Sequence, residues 1–311
     1  MLMRALPSAS LSVLVYHRVL PAPDPMRPGV PTVEEFERRM RWLGSNFYVM
    51  PLTEAVRALR ANRLPKRALS ITFDDGYADN HDLALPVLRQ IGLPATFFIA
   101  TGFLDGGYMF NDLVIEALRH ARAPHFDLSD LGYGRLPVTT ENQRRQAADD
   151  ILKQLKYEMP RRRHAVAIAI ATRAGAVVPS RLMMTNKEVK ALHEAGMEIG
   201  AHTVTHPILA RMSFDRVREE ITGCRRQLEQ ITGAPVRLFA YPNGRPGRDY
   251  RREHAALARD LGFEAAVTTA NGAARPGGDF YQIPRFTPWD PPNWRFGLRL
   301  VRNCLRKPAL V

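Results

Sequence analysis

The chain has 311 residues, 45% of them hydrophobic and 24% charged, enough for about two domains or one barrel-sized α/β domain with an insertion, and too apolar for wholesale disorder. Its two cysteines, Cys224 and Cys304, exclude a disulfide scaffold and a cysteine-rich zinc module, and read as free thiols in a reducing compartment. The 44 Lys and Arg against 31 Asp and Glu leave a net charge of +13, which favours anionic partners without choosing among them.

The first apolar run, Leu11 to Val15, leads into Tyr16-His17 with no small-x-small cleavage site. It reads as a buried strand rather than a signal peptide, and the chain is expected in the cytoplasm. No run approaches ~20 apolar residues, so no membrane span is expected. Thr32 and Glu35 form a capping box that opens a helix carrying Phe36, Met40 and Leu43, and Thr53 is read as the cap of a short helix with Val56 and Leu59. A strand over 69–73, a helix from about Asp82 to Gly92 and a strand over 95–100 follow.

The strand–helix rhythm breaks over roughly 104–182, which holds helical stretches at about 111–122 and 141–158, the basic run Arg161-Arg162-Arg163-His164, and an Ala-rich helix at 165–174. We take it as a mostly helical insertion in one catalytic domain spanning 1–311. The rhythm resumes with a helix over 186–194, a strand over 197–201, a helix from Ser213 to about Ile231, a strand over 237–241, a helix near 252–260 and a strand over 264–268. Repeated strand–helix units predict a parallel sheet, open or closed into a barrel.

Three segments at predicted strand ends carry chemistry. Thr72-Phe73-Asp74-Asp75-Gly76 puts two adjacent carboxylates where active sites of parallel α/β folds gather, although a helix cap or an Asx turn alone explains many such aspartates. His202 and His206 stand four apart after the strand at 197–201, a spacing that brings two ring nitrogens to one cation. Two histidines and one carboxylate make a three-ligand site for zinc, with cobalt, nickel and manganese as alternatives. Tyr241-Pro242-Asn243-Gly244 is a turn whose backbone amides can face a cavity.

Taken together, Thr-Phe-Asp-Asp-Gly, His-Thr-x-x-His and Phe-Ala-Tyr-Pro-x-Gly resemble the polysaccharide deacetylases of carbohydrate esterase family 4, over residues 69–270 outside the insertion. The resemblance implies a distorted (β/α) barrel and metal-dependent hydrolysis of N-acetyl, or N-formyl or O-acetyl, groups on sugars. It makes Asp74 the catalytic base, Asp75, His202 and His206 the ligands of one divalent metal, and the Asn243 amide an oxyanion donor. Tyr241, Pro242 and Trp289 would then wall the pocket. Ala240 stands where the family usually has an arginine that steers the base, and Arg285, in Ile283-Pro284-Arg285-Phe286, is the candidate substitute from another strand. The family's C-terminal Leu-x-His is missing. Tyr16-His17 is instead similar to the N-terminal motif of biofilm poly-N-acetylglucosamine deacetylases, which makes His17 the general acid.

The substrate so implied is an N-acetylated glycan polymer or a lipid-linked sugar. A non-catalytic glycan- or anion-binding protein on the same fold, an O-acetyl esterase and an N-deformylase are the alternatives. Nucleic acid is not expected, because no zinc finger, RNA-recognition pattern or helix-turn-helix is found. From Asn293 the pattern predicts a helix within a basic amphipathic segment, 293–311, with Trp294, Leu298, Val301 and Leu305 on one face and Arg295, Arg299, Arg302 and Arg306 beside it. This suits either a terminal helix packed on the barrel or peripheral contact with an anionic membrane at the inner face.

Overall fold

The computed structural model describes residues 10–288 and 292–311. Its core is a parallel sheet of short, almost wholly apolar strands, the composition expected where both faces are covered. Strand β1 (Ser12–Tyr16) pairs with β3 (Ala68–Phe73), β3 with β4 (Thr96–Ile99), β4 with β7 (Glu198–Ala201), β7 with β8 (Leu238–Ala240) and β8 with β9 (Ala265–Val267). The two-residue β2 (Tyr48–Val49) pairs with the start of β3.

Between β9 and β1 runs the irregular segment 283–286. Ile283 bridges to Val267 and Phe286 to Leu14, both in parallel sense. The amide of Phe286 donates to the Val13 carbonyl at 2.8 Å and that of Val15 to the Phe286 carbonyl at 3.1 Å. Closure by single bridges rather than a full strand is what distorts the (β/α) barrel. Between the sheet and the helices, the Phe73 ring stacks on Phe97 at 4.8 Å and on Tyr16 at 5.5 Å, with Phe36 of the first helix edge-on.

The helices follow the amphipathic pattern of the sequence. Helix α1 (Val33–Asn46) starts at the Thr32–Glu35 capping box and buries Phe36, Met40 and Leu43. In contrast, α2 (Leu52–Arg60) begins one residue before Thr53, after Pro51. Thr53 is therefore not its cap, and the Thr53 amide donates instead to the Glu198 carboxylate at 3.2 Å. The next helix opens with a π turn at Asn80–Ala84, continues as α3 (Leu85–Ile91) and ends at left-handed Gly92.

The insertion has its own core. Helices α4 (Phe110–His120), α5 (Glu141–Leu155) and α6 (Pro160–Ala174) pack with the hairpin β5 (His125–Leu128) and β6 (Gly134–Pro137) around Leu113, Leu118, Phe126, Ile151, Leu155 and Ile170. The hairpin has no forecast in the sequence pattern, and α6 begins at Pro160, so the basic run 161–164 is its first turn. The barrel then resumes with α7 (Asn186–Glu194), α8 (Phe214–Thr232) and α9 (Arg252–Asp260). The last helix, α10 (Asn293–Cys304), packs by Phe296 against Trp42 and Phe286. Cys224 and Cys304 are free and buried.

Candidate active site

In a parallel barrel the C-terminal strand ends share one rim, and here β1 delivers His17, β3 Asp74 and Asp75, β7 His202, and β8 the turn at 241–244. The closing segment adds Arg285. Several of these residues hold an unfavourable backbone: Asp75, Thr203, His206 and Asn243 have φ of 79°, 66°, 51° and 59°. Such angles cost energy in non-glycine residues and persist where surrounding contacts fix them, as at functional sites. Gly244, at φ 67°, has no alternative, since a Cβ would lie 2.9 Å from the Thr269 amide nitrogen.

Asp74 is buried and gripped by Arg285. Nη1 donates to Oδ1 at 2.7 Å and Nη2 to Oδ2 at 2.6 Å, while Nε donates to the Thr268 carbonyl at 2.9 Å. Arg285 Nη1 also donates to Thr72 Oγ1 at 3.2 Å, and that hydroxyl donates to the Leu14 carbonyl at 2.7 Å. Burial would raise Asp74, but the Arg285 charge and hydrogen bonds together with the nearby His202 and His17 outweigh it and hold the carboxyl below its ordinary range.

Asp75, His202 and His206 converge beside this pair. Asp75 Oδ1 lies 3.5 Å from His202 Nε2 and 3.4 Å from His206 Nε2. Ligands about 2.1 Å from one tetrahedral ion stand about 3.4 Å apart, which is the spacing of each imidazole nitrogen from Oδ1, and all three atoms lie within 4.8 Å of one another. Two further features fit a metal. Asp75 Oδ1 is buried without a hydrogen-bond partner among the described residues. His202 Nδ1 donates to the Ala240 carbonyl at 2.8 Å, which fixes the tautomer that leaves Nε2 free to ligate. Burial tends to raise Asp75, but the neighbouring His202, His206 and His17 bring it well below the carboxylate range. Burial drives His206 down to about 3, whereas at His202 it is outweighed by Asp74 and Asp75, which raise that imidazole.

Asn243 is half-buried, its carbonyl held by the Thr269 hydroxyl at 2.6 Å, and its amide makes no hydrogen bond among the described residues. His17 is exposed at the rim, and its carbonyl accepts from Asn80 Nδ2 at 2.9 Å. Tyr241 corrects the sequence reading. Its ring is fully buried and stacked on Tyr250 at 4.0 Å, and its hydroxyl donates to the Tyr281 carbonyl at 2.9 Å. It is a core residue and not a pocket wall, because the hydroxyl is satisfied on the core side. Pro242 is buried beside it, and Trp289 lies outside the described residues.

Two residues behind the histidines carry no sequence forecast. The Glu220 carboxylate of α8 accepts the amides of Val204 and Thr205, each at 2.8 Å, and the Thr205 hydroxyl at 2.6 Å. Arg163, buried in the first turn of α6, donates through Nη2 to the Thr205 and His206 carbonyls at 3.1 Å. Burial without a paired carboxylate lowers its guanidinium to about 10, still charged at neutral pH. The 203–206 loop is thus held from the barrel by Glu220 and from the insertion by Arg163. Alongside it opens a cleft of about 470 Å³ lined by Phe103, Tyr108, Phe110, Arg161, His164 and Thr205.

The sequence profile of polysaccharide deacetylases matches residues 61–266, about two thirds of the chain. The chain belongs to the polysaccharide deacetylase family. Removal of acetyl groups from a polysaccharide is that family's reaction, and the chain is a hydrolase of this class. It is 23% identical to the Bacillus subtilis protein YxkH over 279 residues, covering 89% of this chain and 71% of that one. It is also 23% identical to a poly-β-1,6-N-acetyl-D-glucosamine N-deacetylase of Staphylococcus epidermidis over 183 residues, 54% of this chain and 60% of the relative. The structure of IcaB from Ammonifex degensii superposes with a TM-score of 0.62 at 19% identity, covering 96% of this chain and 99% of that one, which shows a shared deacetylase fold.

Proposed function

We propose that the chain is a metal-dependent deacetylase that hydrolyses the N-acetyl groups of amino sugars in a glycan, either a polymer or a lipid-linked precursor. The observation that carries this reading is the convergence of Asp75, His202 and His206 next to a separate carboxylate, Asp74, held by Arg285. Asp75, His202 and His206 hold the cation. Zinc suits a site of two imidazoles and one carboxylate, with cobalt, nickel and manganese as alternatives. When bound, a divalent cation lowers the pKa of water from 15.7 toward ~7 and polarises the amide carbonyl.

The remaining roles belong to the chain. Asp74 accepts the proton of the attacking water on the second lone pair of an oxygen that Arg285 also holds, since each carboxylate oxygen accepts more than one hydrogen bond. The bidentate grip fixes its plane, and the guanidinium keeps it ionised at neutral pH. The free amide of Asn243 donates to the developing oxyanion, and one such donor is worth about 3 kcal/mol. His17 gives a proton to the departing amine. The cleft between the 102–110 loop and α6 receives the neighbouring sugars, with Tyr108 and Phe110 as stacking surfaces and Arg161 and His164 at its edge. In this reading the insertion shapes the substrate groove.

The specificity of the reaction is tested by offering N-acetyl, N-formyl and O-acetyl amino-sugar oligomers and following the acid released. The expected result is acetate from the N-acetyl oligomer, abolished by a chelator and restored by zinc. Turnover confined to formyl or ester substrates contradicts the N-acetyl assignment. Turnover that survives exhaustive chelation contradicts the metal.

A further inference from the structure

Helix α10 presents to water the face that its sequence pattern marks as apolar. Its inward face is Phe296, Gly297, Leu300, Asn303 and Cys304, all buried. On the outward face Trp294, Leu298 and Leu305 are 66%, 49% and 65% exposed, and Val301 is half-buried between them. Their spacing of four, three and four residues draws one stripe along the helix. Large apolar side chains in a continuous exposed row are uncommon on a monomer and mark a surface that something covers.

The charges beside the stripe say what covers it. Arg295, Arg302, Arg306 and Lys307 are exposed next to it, whereas Arg299 turns its guanidinium over the Phe286 ring at 5.1 Å. From residue 292 to residue 311 the chain has no Asp or Glu. A protein partner with an apolar groove needs no such one-signed border, but a layer of phosphates does. A tryptophan-bearing apolar stripe flanked by arginines is the pattern of a helix that lies in the headgroup region of a bilayer. The position of the helix adds a reason. It packs on the closing segment through Phe286, the neighbour of the Arg285 that grips Asp74.

We propose that the outward face of α10 docks on an anionic phospholipid surface, with Trp294, Leu298 and Leu305 at the headgroup–acyl boundary and Arg295, Arg302, Arg306 and Lys307 on the phosphates. Resting on the deacetylase reading above, this anchors the catalytic rim close to glycans attached to that surface.

The test is co-sedimentation of the full chain with phosphatidylcholine vesicles containing increasing phosphatidylglycerol. Binding is expected to rise with the anionic fraction and fall with salt. At about 1 kcal/mol per arginine, Arg302→Ala/Arg306→Ala lowers the partition coefficient about thirtyfold. Trp294→Glu/Leu298→Glu abolishes binding, and thermal melting confirms that both variants fold. Wild-type protein that stays in the supernatant at every lipid composition overturns the proposal, as does a glutamate variant that sediments like wild type. A vesicle-free dimer that Trp294→Glu/Leu298→Glu converts to monomer also overturns it, because the stripe then belongs to a second copy. Vesicle binding is read without turnover, so its failure and failure of the deacetylase reading are separate results.

Discussion

The barrel rim and the insertion are built by different means. The rim stands on short, buried strands, and upon them sit left-handed residues and buried charges that surrounding contacts hold. The insertion is a set of amphipathic helices around a separate small core. It meets the barrel through apolar contacts at Met26 and Tyr77 and through a set of ion pairs. Arg27 donates to Asp112 at 3.1 Å and to Glu116 at 3.0 Å, Arg119 donates to Asp24 at 2.7 Å, and Arg18 stands 3.8 Å from Asp112. Arg163 completes the seam at the His206 loop. Apolar packing thus sets the frame, and a buried polar seam sets where the insertion lies against the site.

That contrast can be broken from either side. On the rim, His17→Ala removes an exposed imidazole with no packing role, so a general acid there predicts a large kinetic effect with little structural change. The expected fall in kcat is about 10²–10⁴-fold, with metal content and melting temperature unchanged. A fall of less than a few-fold moves the acid elsewhere. At the seam the order reverses. Arg27→Met leaves Asp112 and Glu116 buried with their charge partly uncompensated, and should cost about 3–5 kcal/mol in denaturant unfolding. A loss under about 1 kcal/mol would show that the seam does not hold the insertion.

The smallest effect is one of pH. Asp24, at the same seam, is held down to about 2, because hydrogen bonds from Arg119, the Met26 amide and Arg27 outweigh the burial that would raise it. A carboxyl depressed in the folded state stabilises fully above its unfolded value near 3.8, and loses that stabilisation as pH falls toward about 2. Asp24→Asn should therefore flatten the stability profile in that window, by at most about 2 kcal/mol. Profiles that coincide there would remove Asp24 from the seam's energetics.

How much of this was legible in sequence follows from distance along the chain. The Asp-Asp and His-x-x-x-His patterns are local, and each closes an apolar strand, so the sequence placed them on one rim. Strand and helix order was legible for the same reason, down to the Thr32 capping box. Arg285 was legible only as a candidate, because it meets Asp74 across 211 residues through an irregular segment that no periodicity marks. Glu220 and Arg163 had no signal at all. One is an acid on a charged helix, and the other sits in the basic run 161–164, where nothing in the pattern singles out one arginine. The hairpin at 125–137 escaped because its strands are short and its outward positions polar. Tyr241 misled because a strand-end aromatic looks the same whether it turns to the pocket or to the core.

The central claim is that cation and base are separate groups at one centre, and metal content with acetate release from N-acetylated amino-sugar oligomers tests it most directly. Wild type is compared with Asp74→Asn and His202→Ala. Both variants are expected to lose turnover while only His202→Ala loses bound metal. Metal lost equally in both variants, or full turnover in a protein that holds none, would contradict it.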